Sequence, residues 1–163
     1  MREPRAVLDR RRAREFEAFT AGAAGRLLHA ATLLTTEPRD ACPAAERLLT
    51  RALARTYAAW DGPRGEDPYD RARTELARLF AHSAWRYRRP RGGVLGPLTP
   101  RERLVLVLRL GEDVAEEQAA AGLGLPEDRV RAILARAVSR MRHAPTDSGP
   151  ASSGTARLRV AAR

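Results

Sequence analysis

The chain has 163 residues, 44% hydrophobic and 31% charged, with a formal charge of +10. That balance suits one domain or two small ones and excludes collagen-like and wholly disordered classes. A charge this positive points to nucleic acid or an acidic protein surface as partner, with a merely solubilising surface as the plain alternative.

All 30 basic residues are Arg, with no Lys, no Asn and a single Ile, Ile133. The bias is that of a GC-rich coding sequence, so Arg in place of Lys is not in itself a sign of bidentate phosphate recognition. No apolar run approaches the roughly 18 residues of a membrane span, and Met1 to Glu17 lacks the apolar stretch of a secretory signal. A cytoplasmic protein is expected. The lone Cys42 excludes an internal disulfide and leaves no Cys/His cluster at metal-ligand spacing; it is expected as a small core residue, and no cofactor or metal is expected.

In chain order, residues 11–34 repeat apolar positions at helical spacing, with Phe16, Phe19, Ala23, Leu27, Ala30 or Ala31 and Leu34 on one face. A second helix opens near Pro43, puts Leu49, Leu53, Tyr57 and Trp60 on a stripe, and is stopped by Asp61, Gly62 and Pro63. A third opens at Asp67 and Pro68, a good cap and first-turn pair, and is expected to run to about Arg89. Its core face is Tyr69, Ala72, Leu76, Leu79, Phe80, Ser83 and Tyr87. On the opposite side Arg71, Arg78, His82, Trp85 and Arg89 project within an arc of about 60°. A Trp among arginines offers charge for phosphates and a π-surface for bases, which is what an unpaired strand needs. An ordinary solvated face is the alternative.

Residues 90–97 are rich in Pro and Gly and read as a linker. Thr99, Pro100 and Glu102 form a capping-box pattern, opening a helix that continues through Leu104, Val105 and Leu108 to Gly111. A second cap at Asp113 to Glu116 starts a short helix closed by Gly122. A last helix from about Pro126 to Arg142 completes a helix-turn-helix pattern, in which Ala119, Ala120 and Ala121 allow close approach. Val130, Ile133, Leu134, Ala137 and Met141 form its buried stripe. Arg129, Arg136 and Arg140 line one flank and Arg131 and Arg142 the other, as for a helix in a major groove whose edges meet phosphates. A plain three-helix bundle is the alternative. The fold class expected is all-α, two small helical domains at residues 11–89 and 98–143, the linker at 90–97, and a tail at 144–163 whose Pro, Ser and Gly content predicts no fixed structure.

The stretch from Leu98 to Asp113 (LTPRERLVLVLRLGED), followed by Glu117 to Gly124 (EQAAAGLG) and by Arg129, Val130, Arg131, Arg136, Arg140 and Arg142, resembles region 4 of the extracytoplasmic-function bacterial sigma factors. The first half is similar to their region 2 in Phe16 to Phe19, Ala45 and Glu46, Ala52 to Arg55, Tyr57, Trp60, and Trp85 to Arg89. The resemblance implies a subunit that directs core RNA polymerase to promoters, with DNA and the β′ clamp of the core enzyme as partners and an anti-sigma factor as a further candidate. It assigns Arg71, Arg78, His82, Trp85 and Arg89 to the opened −10 strand, and Arg129, Arg131, Arg136 and Glu127 to the −35 duplex. Arg47, Leu48, Thr50 and Arg51 would face the clamp.

The chain departs from the family pattern in three places. Arg47 and Arg51 stand where the family carries acidic residues, so a clamp surface lined by arginines would be repelled. The recognition helix opens with Pro126, Glu127 and Asp128, where carboxylates repel phosphate unless Glu127 accepts from a cytosine amino group, and Ile133 stands where a basic residue is frequent. An eight-residue linker reaches only about 26 to 29 Å, which strains the simultaneous engagement of promoter elements some 50 Å apart. A divergent sigma-like regulator that does not dock on core polymerase, a LuxR-type regulator and an interaction module remain as alternatives. An enzyme is not expected, because His29, His82 and His143 lie far apart and there is no phosphate loop or HExxH pattern.

Overall fold

Helix α1 spans Arg5–Thr35 in the computed structural model, which describes residues 5–60 and 65–144. The stop at Asp61 to Pro63 and the tail beyond Ala144 lie outside the described residues. α1 starts six residues before the expected Arg11, because nothing between Arg5 and Arg10 interrupts a run of good helix formers. Its inward face is the expected one: Ala23, Leu27, Ala30, Ala31 and Leu34 are buried. Further N-terminal, Phe16 and Phe19 join Trp60 in an aromatic cluster, with ring centroids 5.0 and 5.3 Å from the indole.

Helices α2 (Pro43–Ala58) and α3 (Pro68–His82) pack on α1 and on each other. The N-cap of α2, Cys42, makes no side-chain cap. Glu37 does that work: its buried carboxylate accepts from the Ala44 and Ala45 amides at 3.1 and 2.8 Å, placing negative charge where the helix dipole favours it. At the other end of α2, Arg12 donates to the Tyr57 and Ala58 carbonyls. Asp67 caps α3 by accepting from the Tyr69 amide at 2.8 Å. α3 then stops at His82, seven residues before the expected Arg89, and a 3-10 turn, Ala84–Tyr87, follows.

Helix α4 (Pro100–Leu106) opens with the expected capping box between Thr99 and Glu102 and widens into a π-helical turn, Val107–Gly111. Asp113 is not a cap; it adopts a left-handed conformation, φ 52, which Asp tolerates better than most residues. Helix α5 (Glu116–Leu123) therefore begins later than expected, and its closing glycine is Gly124 (φ 63) in place of Gly122. The Leu125 and Gly124 amides donate to the Ala120 and Ala121 carbonyls, the paired bonds of a Schellman motif. Helix α6 spans Glu127–His143. The architecture is all-α, as expected, and Val130, Ile133 and Ala137 are buried with Leu134 and Met141 packed beside them.

The joint between the halves is not a free tether. Its Gly93 amide donates to the Thr36 carbonyl at 2.7 Å and the Arg91 amide to the Thr36 hydroxyl at 3.1 Å. Thr36 itself holds φ 57, an uncommon conformation for a β-branched residue, while fully buried. A Cβ on Gly93 would lie 2.6 Å from the Thr36 carbonyl carbon, so only glycine allows this approach. Leu95 and Leu98 bury their side chains in the same core, which runs without a break from α1 to α6.

Two polar contacts complete the lock. Arg103 of α4 is fully buried and donates to the Leu98 and Leu34 carbonyls at 3.0 and 3.1 Å. α1 has no basic residue in its own last turn, so Arg103 brings a cation to the negative end of that helix dipole. Its burial lowers its affinity for the proton relative to a free guanidinium, an effect too small to discharge a group that is always protonated in proteins. The Tyr69 hydroxyl of α3 donates to Glu112 at 2.8 Å, and Arg26 of α1 lies 3.3 Å from the same carboxylate. Tyr69 holds its proton well above the ordinary tyrosine range, first through burial and then through the bond to Glu112 and its charge.

Candidate nucleic-acid interface

The end of α3 explains how the expected arginine arc is redistributed. Ser83 turns its hydroxyl and amide back onto the Leu79 carbonyl, at 2.7 and 3.2 Å, satisfying the last turn and releasing the chain from helical period. Tyr87 then folds inward and stacks on Phe80, with centroids 5.2 Å apart. Residues after Ser83 therefore no longer share a face with Arg71. Arg71 is a structural clamp, donating to the Ala59 carbonyl at 2.7 Å and to Glu66 at 3.2 Å. Arg78 is exposed but paired with Glu75 at 2.7 Å, a bond that raises its proton affinity further.

His82, Trp85 and Arg89 remain on the surface at the helix end. Trp85 is 65% exposed, so its indole is open to a partner. The guanidinium of Arg86 lies over one face of the indole at 5.3 Å, and Arg88 is exposed beside it. The end of α3 and the turn after it thus expose His82, Trp85, Arg86, Arg88 and Arg89 within eight residues of chain. Arg86 and Arg88 were not among the expected candidates; the contact of Arg86 with Trp85 depends on its side chain folding back over the ring, which a projection of the helix does not show.

On α2 the residues expected to face outward divide. Arg47, Thr50 and Arg51 are exposed, with the Thr50 hydroxyl donating back to the Glu46 carbonyl at 2.8 Å. Leu48 is corrected: it is 2% exposed and belongs to the core, since its place on the helix is on the face that meets α1 and α3.

In the C-terminal half, α6 presents Glu127, Arg129, Arg131 and Arg136 on its exposed side. Arg131 forms an ion pair with Glu116 at the start of α5, linking the two helices of the turn. Arg140 pairs with Glu102 of the α4 capping box at 3.1 Å. Arg129 and Arg136 keep their charge unpaired among the described residues. Ile133 is 2% exposed, so its departure from a basic residue falls in the core and removes nothing from the outer face. Among the described residues no group of three or more His, Cys, Asp or Glu is placed to hold a metal ion, and no helix is long and apolar enough to cross a membrane.

The family model of sigma-70, region 4, matches residues 94–143, which contain α4, α5 and α6. The RNA polymerase sigma-E factor of Streptomyces avermitilis is 32% identical over 159 residues, covering 78% of this chain and 83% of that protein. Those of Streptomyces coelicolor and Streptomyces antibioticus are 33% and 31% identical, again over 78% of this chain and over 84% and 83% of theirs. No solved structure gives a significant match. With relatives alike over most of both chains, and a helix-turn-helix carrying its charge on the outer face of α6, this protein belongs to the extracytoplasmic-function family of RNA polymerase sigma factors.

Proposed function

We propose that this sigma factor directs RNA polymerase to promoters through two separate DNA surfaces, with α6 on duplex DNA and the turn after α3 on an unpaired strand. The family is not enzymatic, and the partners are DNA and core polymerase, met in the cytoplasm. Residues 11–89 correspond to a region 2-like body and 98–143 to a region 4-like body, with an anti-sigma factor as a further partner class. On α6, Arg129 and Arg136 meet phosphates, Arg131 braces the helix against α5 while remaining at the groove edge, and Glu127 accepts from a base amino group. On the first body, Trp85 stacks a base while His82 and Arg89 face the backbone; Arg71 and Arg78 give field but not contact, since both are engaged elsewhere.

The observation that carries this reading is the 65% exposure of Trp85 among arginines of one turn, combined with the unpaired Arg129 and Arg136 of α6. On the outward face of α2, Thr50 is offered to the clamp, while Arg47 and Arg51 make a positive surface that calls for an acidic counterpart, which an arginine-lined clamp does not supply. Because 90–97 is pinned to Thr36, the closed arrangement addresses one promoter element at a time; reaching both requires the halves to part at Tyr69–Glu112 and at Arg103. Co-purification with core polymerase, followed by run-off transcription on promoter templates, tests the reading. Retention on core with a defined transcript is the expected result. A chain that neither binds core nor starts a transcript overturns it.

A further inference from the structure

A second feature adjoins the Trp85 turn. Between α2 and residues 86–91 lies an open cavity of about 370 Å³, lined by Leu48 and Tyr87 and by four arginines. Arg47 and Arg51, one helical turn apart, form one side; Arg86 and Arg91 form the other. No carboxylate of the described residues lines it. The nearest, Glu37, meets Arg91 at 3.4 Å but already serves the Ala44 and Ala45 amides and the Thr35 hydroxyl. Arg47, Arg51 and Arg86 have no carboxylate partner among the described residues. With only Arg91 paired, the hollow carries an excess of positive charge that an entering anion would offset. Guanidinium groups suit phosphate oxygens in particular.

Arg86 identifies the anion. It walls the cavity and also covers the exposed indole of Trp85 at 5.3 Å, so the hollow and the stacking platform share a residue. An acidic polypeptide would satisfy the charge and can pack on the ring, but it does not carry a planar stacking group and a phosphate together in each unit. A nucleic-acid strand uses both, because each base carries a phosphate with it. We infer that the groove between α2 and residues 86–91 holds the backbone phosphates of the same unpaired strand whose base stacks on Trp85, so that Arg47 and Arg51 act as strand-binding residues. This rests on the reading of Trp85 given above.

The test is fluorescence anisotropy with a labelled single-stranded DNA of about 12 nucleotides, titrated across salt for the unaltered chain, for Arg47→Gln with Arg51→Gln, and for Trp85→Ala, with circular dichroism as the folding check. Both arginines are exposed, so the double variant keeps the fold. Losing two phosphate contacts lowers the slope of log affinity against log salt by about 1.4, or about 25-fold in affinity over one decade of salt. Trp85→Ala weakens binding with the slope retained. A double variant whose slope is unchanged while Trp85→Ala still weakens binding removes the groove and leaves the platform standing. Absence of strand binding by the unaltered chain removes the platform and the groove with it. A double variant that keeps the slope but loses retention on immobilised poly-glutamate shows an acidic protein in the groove and overturns the inference.

Discussion

The two DNA-facing regions are built by different means. In α6 the charged residues lie along one uninterrupted helix, so their order around the axis follows from their spacing, and the fold has only to bury Val130, Ile133 and Ala137 to turn the others outward. At the end of α3 the helix is broken by Ser83, and the surface is made by a short turn that Tyr87 anchors on Phe80. The first kind of surface tolerates local change because the helix itself holds it. The second depends on packing beneath it, and its neighbours come from segments far apart in the chain.

That difference can be broken most forcefully at Phe80. Phe80→Ala removes a fully buried ring and the surface on which Tyr87 stacks, and is expected to cost about 3 to 5 kcal/mol in urea unfolding. In the folded fraction, strand binding should fall while duplex binding by α6 persists. Arg103→Met keeps volume but leaves the Leu34 and Leu98 carbonyls without their donor; a loss of about 2 to 3 kcal/mol is expected, read by the same unfolding midpoint. A variant as stable as the original would show that Arg103 does not hold the halves together.

Effects on binding come next. Trp85→Ala should weaken single-strand binding by about 1 to 3 kcal/mol with the melting temperature unmoved, since the ring is 65% exposed. Arg129→Gln should lower the salt slope of duplex binding by about 1 and weaken all sequences alike, the signature of a phosphate contact; a change confined to one sequence would make it a base reader.

The smallest effect concerns the Tyr69 lock. Its folded-state proton affinity is raised, so the contribution is fully present below about pH 10, the ordinary tyrosine value, and is lost as pH rises beyond it toward the folded value. Stability measured from about pH 9 to 11 should therefore decline in the unaltered chain and decline less in Tyr69→Phe. Equal declines would take Tyr69 out of the account.

Helix number and the inward faces were legible in the sequence, because apolar spacing, the Thr99 to Glu102 box and the Asp67–Pro68 pair are local signals that the backbone obeys. The outward side of α6 was legible for the same reason, and the family through the resemblance of both halves to its regions 2 and 4. The end of α3 was not, since spacing alone does not reveal that Ser83 will satisfy Leu79 and release the chain. Nor does any pattern along the chain announce that Glu37 will cap a helix beginning at Pro43 or that Arg103 will cap one ending at Thr35.

The order of residues determined by itself an all-α chain of positive charge with a helix-turn-helix, because periodicity and capping act within a few residues. Only tertiary structure decided that the joint is pinned at Thr36, that Leu48 is core while Arg47 and Arg51 are surface, and that those two share a groove with Arg86 and Arg91. Those outcomes depend on burial and on long-range pairing of buried polar groups, whose partners are selected by the packed shape and not by distance along the chain.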